Sequence, residues 1–296
     1  MFPDDLPSTT PRPRRARFDT DQPRRGEPRR GGPVRWDSND TPDPGGPSPS
    51  SWPDAQHGPA PRPSWVVTDA AATDTDLGVL KTGKEADVSL LERTVPGGPS
   101  SLLAAKRYRS PEHRLFHRDA GYTDGRRVRR SRETRAMAHR TEFGRHLLAG
   151  QWAAAEFAAL ARLTELGAPV PYPVQLLGTE VLLEYLDEPD GSAAPRLAQL
   201  RPEPEHLAQL WHQLLDVLGL LADQGLAHGD LSPYNLLVHR GNLVVIDLPQ
   251  VVDVVANPRG PEIARRDVTV MCRWFTARGL AQDPDVVLGA LGAPAP

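Results

Sequence analysis

Two aspartates and an asparagine carry the chemistry this chain could do. They lie in His228-Gly229-Asp230-Leu231-Ser232-Pro233-Tyr234-Asn235 and, after a short apolar hairpin, in Val245-Ile246-Asp247. A loop feeding a tight hairpin brings its ends together, so Asp230, Asn235 and Asp247 can converge although they span 18 positions. Phosphoryl transfer needs such a set. One carboxylate orients or deprotonates the attacking hydroxyl, while a carboxylate and an amide oxygen hold magnesium against the phosphates. Both metal donors are hard oxygens, and no His/Cys set of zinc type competes with them. His113, His117, His139 and His146 resemble a metal set only in number, because their spacing in an Arg-rich context is wrong for one. His228 reads as a brace of the loop rather than a proton carrier.

The elements that must position these residues are legible from hydrophobic periodicity. Leu77, Val79 and Leu80 lead into Lys81-Thr82-Gly83-Lys84-Glu85, and Ala86, Val88, Leu90 and Leu91 follow, which predicts strand, polar turn, strand. After Pro96-Gly97-Gly98-Pro99, Leu102 to Tyr108 forms a third strand with Lys106 embedded in it. Gln151 to Leu166 has helical spacing, with Trp152, Ala159, Leu160 and Leu163 on one side and Gly167 at the C-terminal cap. Glu156 points the same way as that stripe. A carboxylate there either meets a cation, for which Lys106 is the candidate, or sits at the stripe's edge in water. Residues 174–178 and 180–186 predict a hairpin, and Asp187 to Gly191 a link. His206 to Asp223 is an amphipathic helix, followed by strands at 236–239 and 243–246 joined through Arg240-Gly241-Asn242. Cys272, among Val270, Met271, Trp274 and Phe275, reads as a buried apolar residue.

Composition bounds the rest. Of 32 prolines in 296 residues, 15 fall between Pro3 and Pro63, in a stretch without apolar runs, so residues 1–63 are expected to be a disordered Pro/Arg-rich tail. The net charge of -3 conceals a basic segment: residues 106–145 hold 13 Lys plus Arg against 5 acids. That segment is expected to be a solvated loop at 110–150. Its arginines from Arg126 to Arg145 offer RNA or ribosomal phosphates a contact surface that rising salt would weaken. One cysteine, no signal-like start and no long apolar run predict a cytoplasmic protein with no membrane span.

The ordered motifs resemble the RIO family of atypical serine/threonine protein kinases, nearer its first subfamily than its second. They are Thr82-Gly83-Lys84-Glu85-Ala86-Asp87-Val88, His228-Gly229-Asp230 with Asn235 five residues on, Ile246-Asp247-Leu248-Pro249-Gln250 and Arg265-Arg266-Asp267. The resemblance runs from about Leu77 to Phe275. It implies an α+β, bilobal protein-kinase-like fold, with a small antiparallel sheet lobe at 64–187 and a mostly helical lobe at 188–296. It further implies ATP and Mg2+ as cofactors, with Thr82, Gly83, Lys84 and Val88 at the nucleotide. Lys106 would lie on the phosphates and pair with Glu156, and Glu184 and Leu186 would meet the adenine. Asp230 would be the catalytic aspartate, Asn235 and Asp247 would hold the metal, and Asp267 would brace the loop. In the family the aspartate matching Asp247 can itself become phosphorylated, so ATP hydrolysis through an aspartyl-phosphate stands beside protein phosphorylation.

The chain departs from the family's pattern in two places. The phosphate loop has Gly83 alone in place of a glycine-rich run, and Pro249 stands where the family usually has serine. Only 19 residues separate Asp247 from Asp267, too few for a long activation segment. No stretch before Leu77 suits the winged helix of the second subfamily. The Pro-, Arg- and Ala-heavy composition suits a high-GC bacterium. Two rivals remain. A small-molecule kinase of aminoglycoside or choline type would need a large inserted substrate pocket, for which the residues after Asn235 leave little room. A nucleotide-binding scaffold on RNA or ribosomes would not need all of Lys106, Glu156, Asp230, Asn235 and Asp247. The phosphate acceptor and the oligomeric state are open at this point.

Overall fold

The computed structural model describes residues 46–109 and 142–292, with side chains in the second stretch described from Leu147 onward. The chain divides into units 1–32 and 33–296, and every described residue belongs to the second. Its first part is an antiparallel sheet built from β1 (Ser48–Pro49), β2 (Gln56–His57), β3 (Thr73–Thr82), β4 (Ala86–Thr94), β5 (Ser100–Tyr108), β6 (Pro173–Leu177) and β7 (Glu180–Glu184). The spatial order is β1-β3-β4-β5-β7-β6-β2. A long helix, α1 (Glu142–Glu165), packs against β5, β6 and β7.

The second part holds α2 (Pro204–Asp223), the short strand β8 (Leu226–Ala227), the hairpin β9 (Leu236–His239) and β10 (Asn242–Val245), β11 (Val252–Asp253), α3 (Gly260–Thr276) and α4 (Pro284–Ala290). The β9–β10 turn places Arg240 at φ 50° and Gly241 at φ 83°. Two successive left-handed residues match the right-handed twist of the flanking strands, which is why so short a turn closes here. Leu210 and Leu214 from α2, Met271, Cys272 and Phe275 from α3, and Leu236 and Leu243 from the hairpin are all buried in one core. Trp211 and Trp274 each meet the Phe275 ring edge-on at 4.9 Å between centroids. The α+β, two-part arrangement of sheet and helices is the one expected from the motifs.

Two expectations are corrected. The disordered tail was to run to residue 63, but residues 46–63 are part of the sheet assembly. β1 pairs with β3, β2 pairs with β6, and Trp52 is buried against a cluster that includes Val66, Leu103 and Tyr172. One aromatic anchor and two-residue strands suffice to fix a proline-rich segment, because its polar backbone groups find the open sheet edges. The remainder of that tail lies outside the described residues. The basic loop was to run to residue 150, but Glu142–Gly150 is the start of α1. Leu147 and Leu148 are half-buried and Ala149 is fully buried, so the apolar stripe of the helix begins inside the charged segment. Arg126 to Arg140 lie outside the described residues.

A buried ion pair holds the far side of the sheet. Arg93 is 0% exposed and donates from Nε to Asp74 at 2.7 Å and from Nη1 to Gln175 Oε1 at 2.8 Å, tying β3, β4 and β6 together. None of these residues faces the candidate active site.

Candidate active site

Lys106 lies on β5, opposite Val88 of β4 and Val181 of β7. Its Nζ donates to Glu156 Oε1 at 2.6 Å and to Asp247 Oδ1 at 2.8 Å. Glu156 therefore meets a cation on the buried side of α1, and its side chain is 1% exposed. The open choice between a paired and a solvated Glu156 is decided by that distance. Tyr108, two residues on from Lys106 and so on the same strand face, donates its hydroxyl to Glu156 Oε2 at 2.6 Å. Both carboxylate oxygens of a buried Glu156 are thus satisfied, and a chain of contacts runs from sheet to helix to the loop carrying Asp247.

The electrostatics follow from this packing. Burial works against the Lys106 charge, but Glu156 and Asp247 together outweigh it and hold the lysine pKa above its ordinary value. Burial, and then the charge of Glu156, push the Tyr108 phenol well above its usual range, so it stays a donor. For Asp247, partial desolvation favours the neutral acid. Lys106, with smaller contributions from His228 and Lys81, overcomes it and holds the carboxyl below the ordinary carboxylate value. Asp247 has φ 67° and a side chain 40% exposed, an ionised group turned toward the cleft by a left-handed backbone.

The loop from His228 to Asn235 is held from three sides. His228 is buried, donates from Nε2 to the Ile246 carbonyl at 3.1 Å and accepts at Nδ1 from the Asp230 amide at 3.3 Å. These contacts make it the expected brace. Asp267, on α3, accepts from the Gly229 amide at 2.8 Å and from the Leu231 amide at 3.1 Å. Burial nevertheless raises its pKa, against those two donors and the charges of His228 and Arg266. Asn235 is buried and donates from Nδ2 to the Asp230 carbonyl at 2.9 Å, which leaves its amide oxygen available. Arg266 approaches Asp230 Oδ1 at 3.3 Å. Gly229 has φ 88°, and a Cβ there would fall 2.2 Å from the Gln250 carbonyl oxygen, so only glycine fits.

The structure places the remaining expected residues around this centre. Thr82 closes β3 opposite Asp87, and the Gly83 amide donates to the Ala86 carbonyl at 2.9 Å in a tight turn. Lys84 is exposed at that turn, and Val88 is half-buried beside Lys106. Glu184 ends β7, but its carboxylate accepts from the Tyr172 amide at 3.1 Å. Only its main chain, with that of the following residues to Leu186, is left for a ligand. Pro249 is buried one residue before Gln250 and disturbs none of these contacts. Sequence reasoning missed Tyr108, although its two-residue spacing from Lys106 signals it. It also missed Lys81 and Arg196, both of which lie in the electrostatic field of Asp247. No local pattern announces that last convergence, because Arg196 lies 51 positions from Asp247.

The residues present fit a magnesium nucleotide. The free oxygens of Asn235 and Asp247 are hard donors. Among the described residues no group of three or more His, Cys, Asp or Glu side chains forms a closed metal cage. A cation held through one carboxylate, phosphate oxygens and water is the pattern magnesium prefers. No helix among the described residues is long and apolar enough to cross a membrane.

The comparisons agree with the geometry. The family model for the RIO domain matches residues 109–286. The RIO-type serine/threonine-protein kinase Rio1 of Haloferax volcanii is 32% identical over 208 residues, covering 70% of this chain and 66% of that protein. The serine/threonine-protein kinase RIO1 of Caenorhabditis elegans is 30% identical over 204 residues, covering 69% of this chain and 37% of that protein. The chain thus spans less than two thirds of the length of either relative. The crystal structure of the Rio2 kinase from Chaetomium thermophilum superposes with a TM-score of 0.48 at 22% identity, covering 73% of this chain and 68% of that chain. With the RIO domain matched across more than half its length, the chain belongs to the RIO family, on the side of its Rio1 members.

Proposed function

We propose that this chain is a RIO-type serine/threonine protein kinase that transfers the terminal phosphoryl group of ATP with magnesium. The carrying observation is the Lys106 ammonium held between Glu156 and Asp247, at 2.6 and 2.8 Å. A lysine fixed in this way presents its charge to phosphates entering between β5 and the Asp247 loop. The turn at Thr82, Gly83 and Lys84 would cover them, with Val88 beneath the sugar or base. The main chain from Glu184 to Leu186 would meet the adenine. Asn235 and Asp247 would hold the metal, which when bound neutralises charge building on the phosphates. Asp230, steadied by Arg266 and by the Asp267 contacts to its neighbours, would orient the acceptor hydroxyl and take up its proton.

A second route is favoured by Asp247 itself, an ionised and 40% exposed carboxylate. Its free oxygen would attack the terminal phosphorus, forming an acyl phosphate as the bond to ADP breaks. Water would then release inorganic phosphate, giving ATPase turnover. The cytoplasmic location, and RNA or ribosomal contact through residues 126–145, belong to the same proposal and rest on composition alone. Incubation with magnesium and γ-labelled ATP separates the routes: acid-stable label marks Ser/Thr phosphorylation, and hydroxylamine-labile label lost in Asp247→Asn marks the acyl phosphate. A nucleotide-binding scaffold would give neither label while still binding RNA. A small-molecule kinase would turn over ATP only when an amino or choline-like alcohol is added.

A further inference from the structure

Most arginines of the helical part are spoken for. Arg240 pairs with Asp187, Arg259 with Glu262, Arg265 with Asp285 and Arg266 with Asp230. Three others gather beside the catalytic loop with no carboxylate partner among the described residues. Arg196 donates from Nη1 to the Tyr234 carbonyl, and its chain is fixed there by the Ala198 amide donating to the Pro233 carbonyl at 2.9 Å. Arg201 follows directly after that turn and is exposed. Arg278 is laid over the Trp274 ring, 3.7 Å from its centroid, and donates to the Trp274 carbonyl at 3.4 Å. It lies close enough to Arg201 and Tyr234 for their charges to act on it, with burial first and Arg201 second in lowering its pKa. In their midst Tyr234 is 63% exposed, an unusual setting for an aromatic residue between a catalytic aspartate and a metal-binding asparagine.

Three like charges held together without counterions cost free energy in the free protein, and an arriving anion recovers it. The track runs from Arg196, which feels Asp247, past Tyr234 to Arg201 and Arg278. It therefore leads outward from the site where an acceptor hydroxyl must sit. Only 19 residues separate Asp247 from Asp267, so no long segment is present there to form a docking groove.

We propose that Arg196, Arg201 and Arg278 with the exposed Tyr234 ring form the docking surface for an acidic, serine- or threonine-bearing segment of a protein substrate. Arginine forks grip its carboxylates, and Tyr234 packs on its main chain. The proposal deepens the kinase reading and rests on it, since it names the acceptor class for that site.

The test uses the full chain and a fluorescein-labelled peptide with one serine flanked by glutamates, its binding read by anisotropy without ATP. The wild type is expected to bind it in a salt-sensitive way and to bind the lysine-flanked counterpart at least about tenfold more weakly. Arg201→Ala with Arg278→Ala is expected to weaken the glutamate peptide about tenfold, with peptide-free ATP turnover unchanged. Arg201→Glu, at an exposed position that cannot compromise folding through Trp274, is expected to weaken it about fivefold. Equal binding of the two peptides, or unchanged affinity in Arg201→Glu, overturns the proposal. So does displacement of the peptide by a single-stranded oligouridylate that itself binds more tightly and loses more in the variants, since the surface would then belong to RNA. Intact peptide binding in a wild type without ATP turnover would sink the kinase reading instead and leave the surface standing.

Discussion

At the scale of the residue, the account turns on Lys106. Removing its ammonium in Lys106→Met leaves Glu156 buried with only the Tyr108 hydroxyl, and Asp247 without its nearest cation. Breaking a buried pair from one side costs about 3–5 kcal/mol, so the unfolding midpoint in urea should fall clearly. Lys106→Met with Glu156→Gln should recover part of that stability but none of the nucleotide affinity, a split that denaturation and ATP titration together would read. The pH dependence has a defined sign. Asp247 titrates below its ordinary value, so its contribution is present above that value and is lost as pH falls through the lowered one. Lys106 titrates above its ordinary value, so its contribution is present below that value and is lost as pH rises through the raised one. The stability difference between wild type and Lys106→Met should accordingly be flat through neutral pH and shrink at both extremes. Cys272, buried with a thiol pushed up to about 11, should resist alkylation in the native protein at pH 8 and react on unfolding.

At the scale of the element, the catalytic loop is a strained piece held by its neighbours. Gly229→Ala would carry a Cβ to 2.2 Å from a backbone oxygen at φ 88°, costing about 1–3 kcal/mol in backbone strain before the clash is relieved. Relief must move either the loop or the Gln250 segment, so ATP turnover should fall further than stability does. Comparing kcat with the thermal midpoint of this variant checks the point. How far such elements could be read from sequence depended on their length. The eighteen-residue helix pattern from His206 and the hairpin at 236–246 were legible because apolar periodicity and an Arg-Gly turn agree. The Lys106 partnership of Glu156 remained open because helix spacing gives the direction of a side chain but not what it meets. β8 and β11 escaped notice because two-residue strands have no period.

At the scale of the whole molecule, the described part of the proline-rich segment acts as a strap across the sheet. Trp52 stacks on His57 at 3.7 Å between centroids and is buried against Val66 and Tyr172, while Ser51 accepts from Gln175 Nε2 at 2.8 Å. Composition concealed this, because the few residues that dock are outnumbered by prolines and glycines around them. Trp52→Ala should destabilise the protein by about 3–5 kcal/mol with ATP turnover per folded molecule unchanged, since the strap lies away from Lys106. The motifs at 82–88, 228–235, 246–250 and 265–267, by contrast, revealed the family and the site because each element carries its own signature in order. What they could not reveal was the cluster at Arg196, Arg201 and Arg278, which only the folded chain assembles.

The most direct test of the account is magnesium-dependent release of the terminal phosphate from ATP by wild type, Asp230→Asn and Asp247→Asn under identical conditions. The account predicts turnover by the wild type that magnesium chelation abolishes and that falls by about a hundredfold or more in each variant. Full turnover by either variant, or turnover by the wild type that persists after chelation, would contradict it.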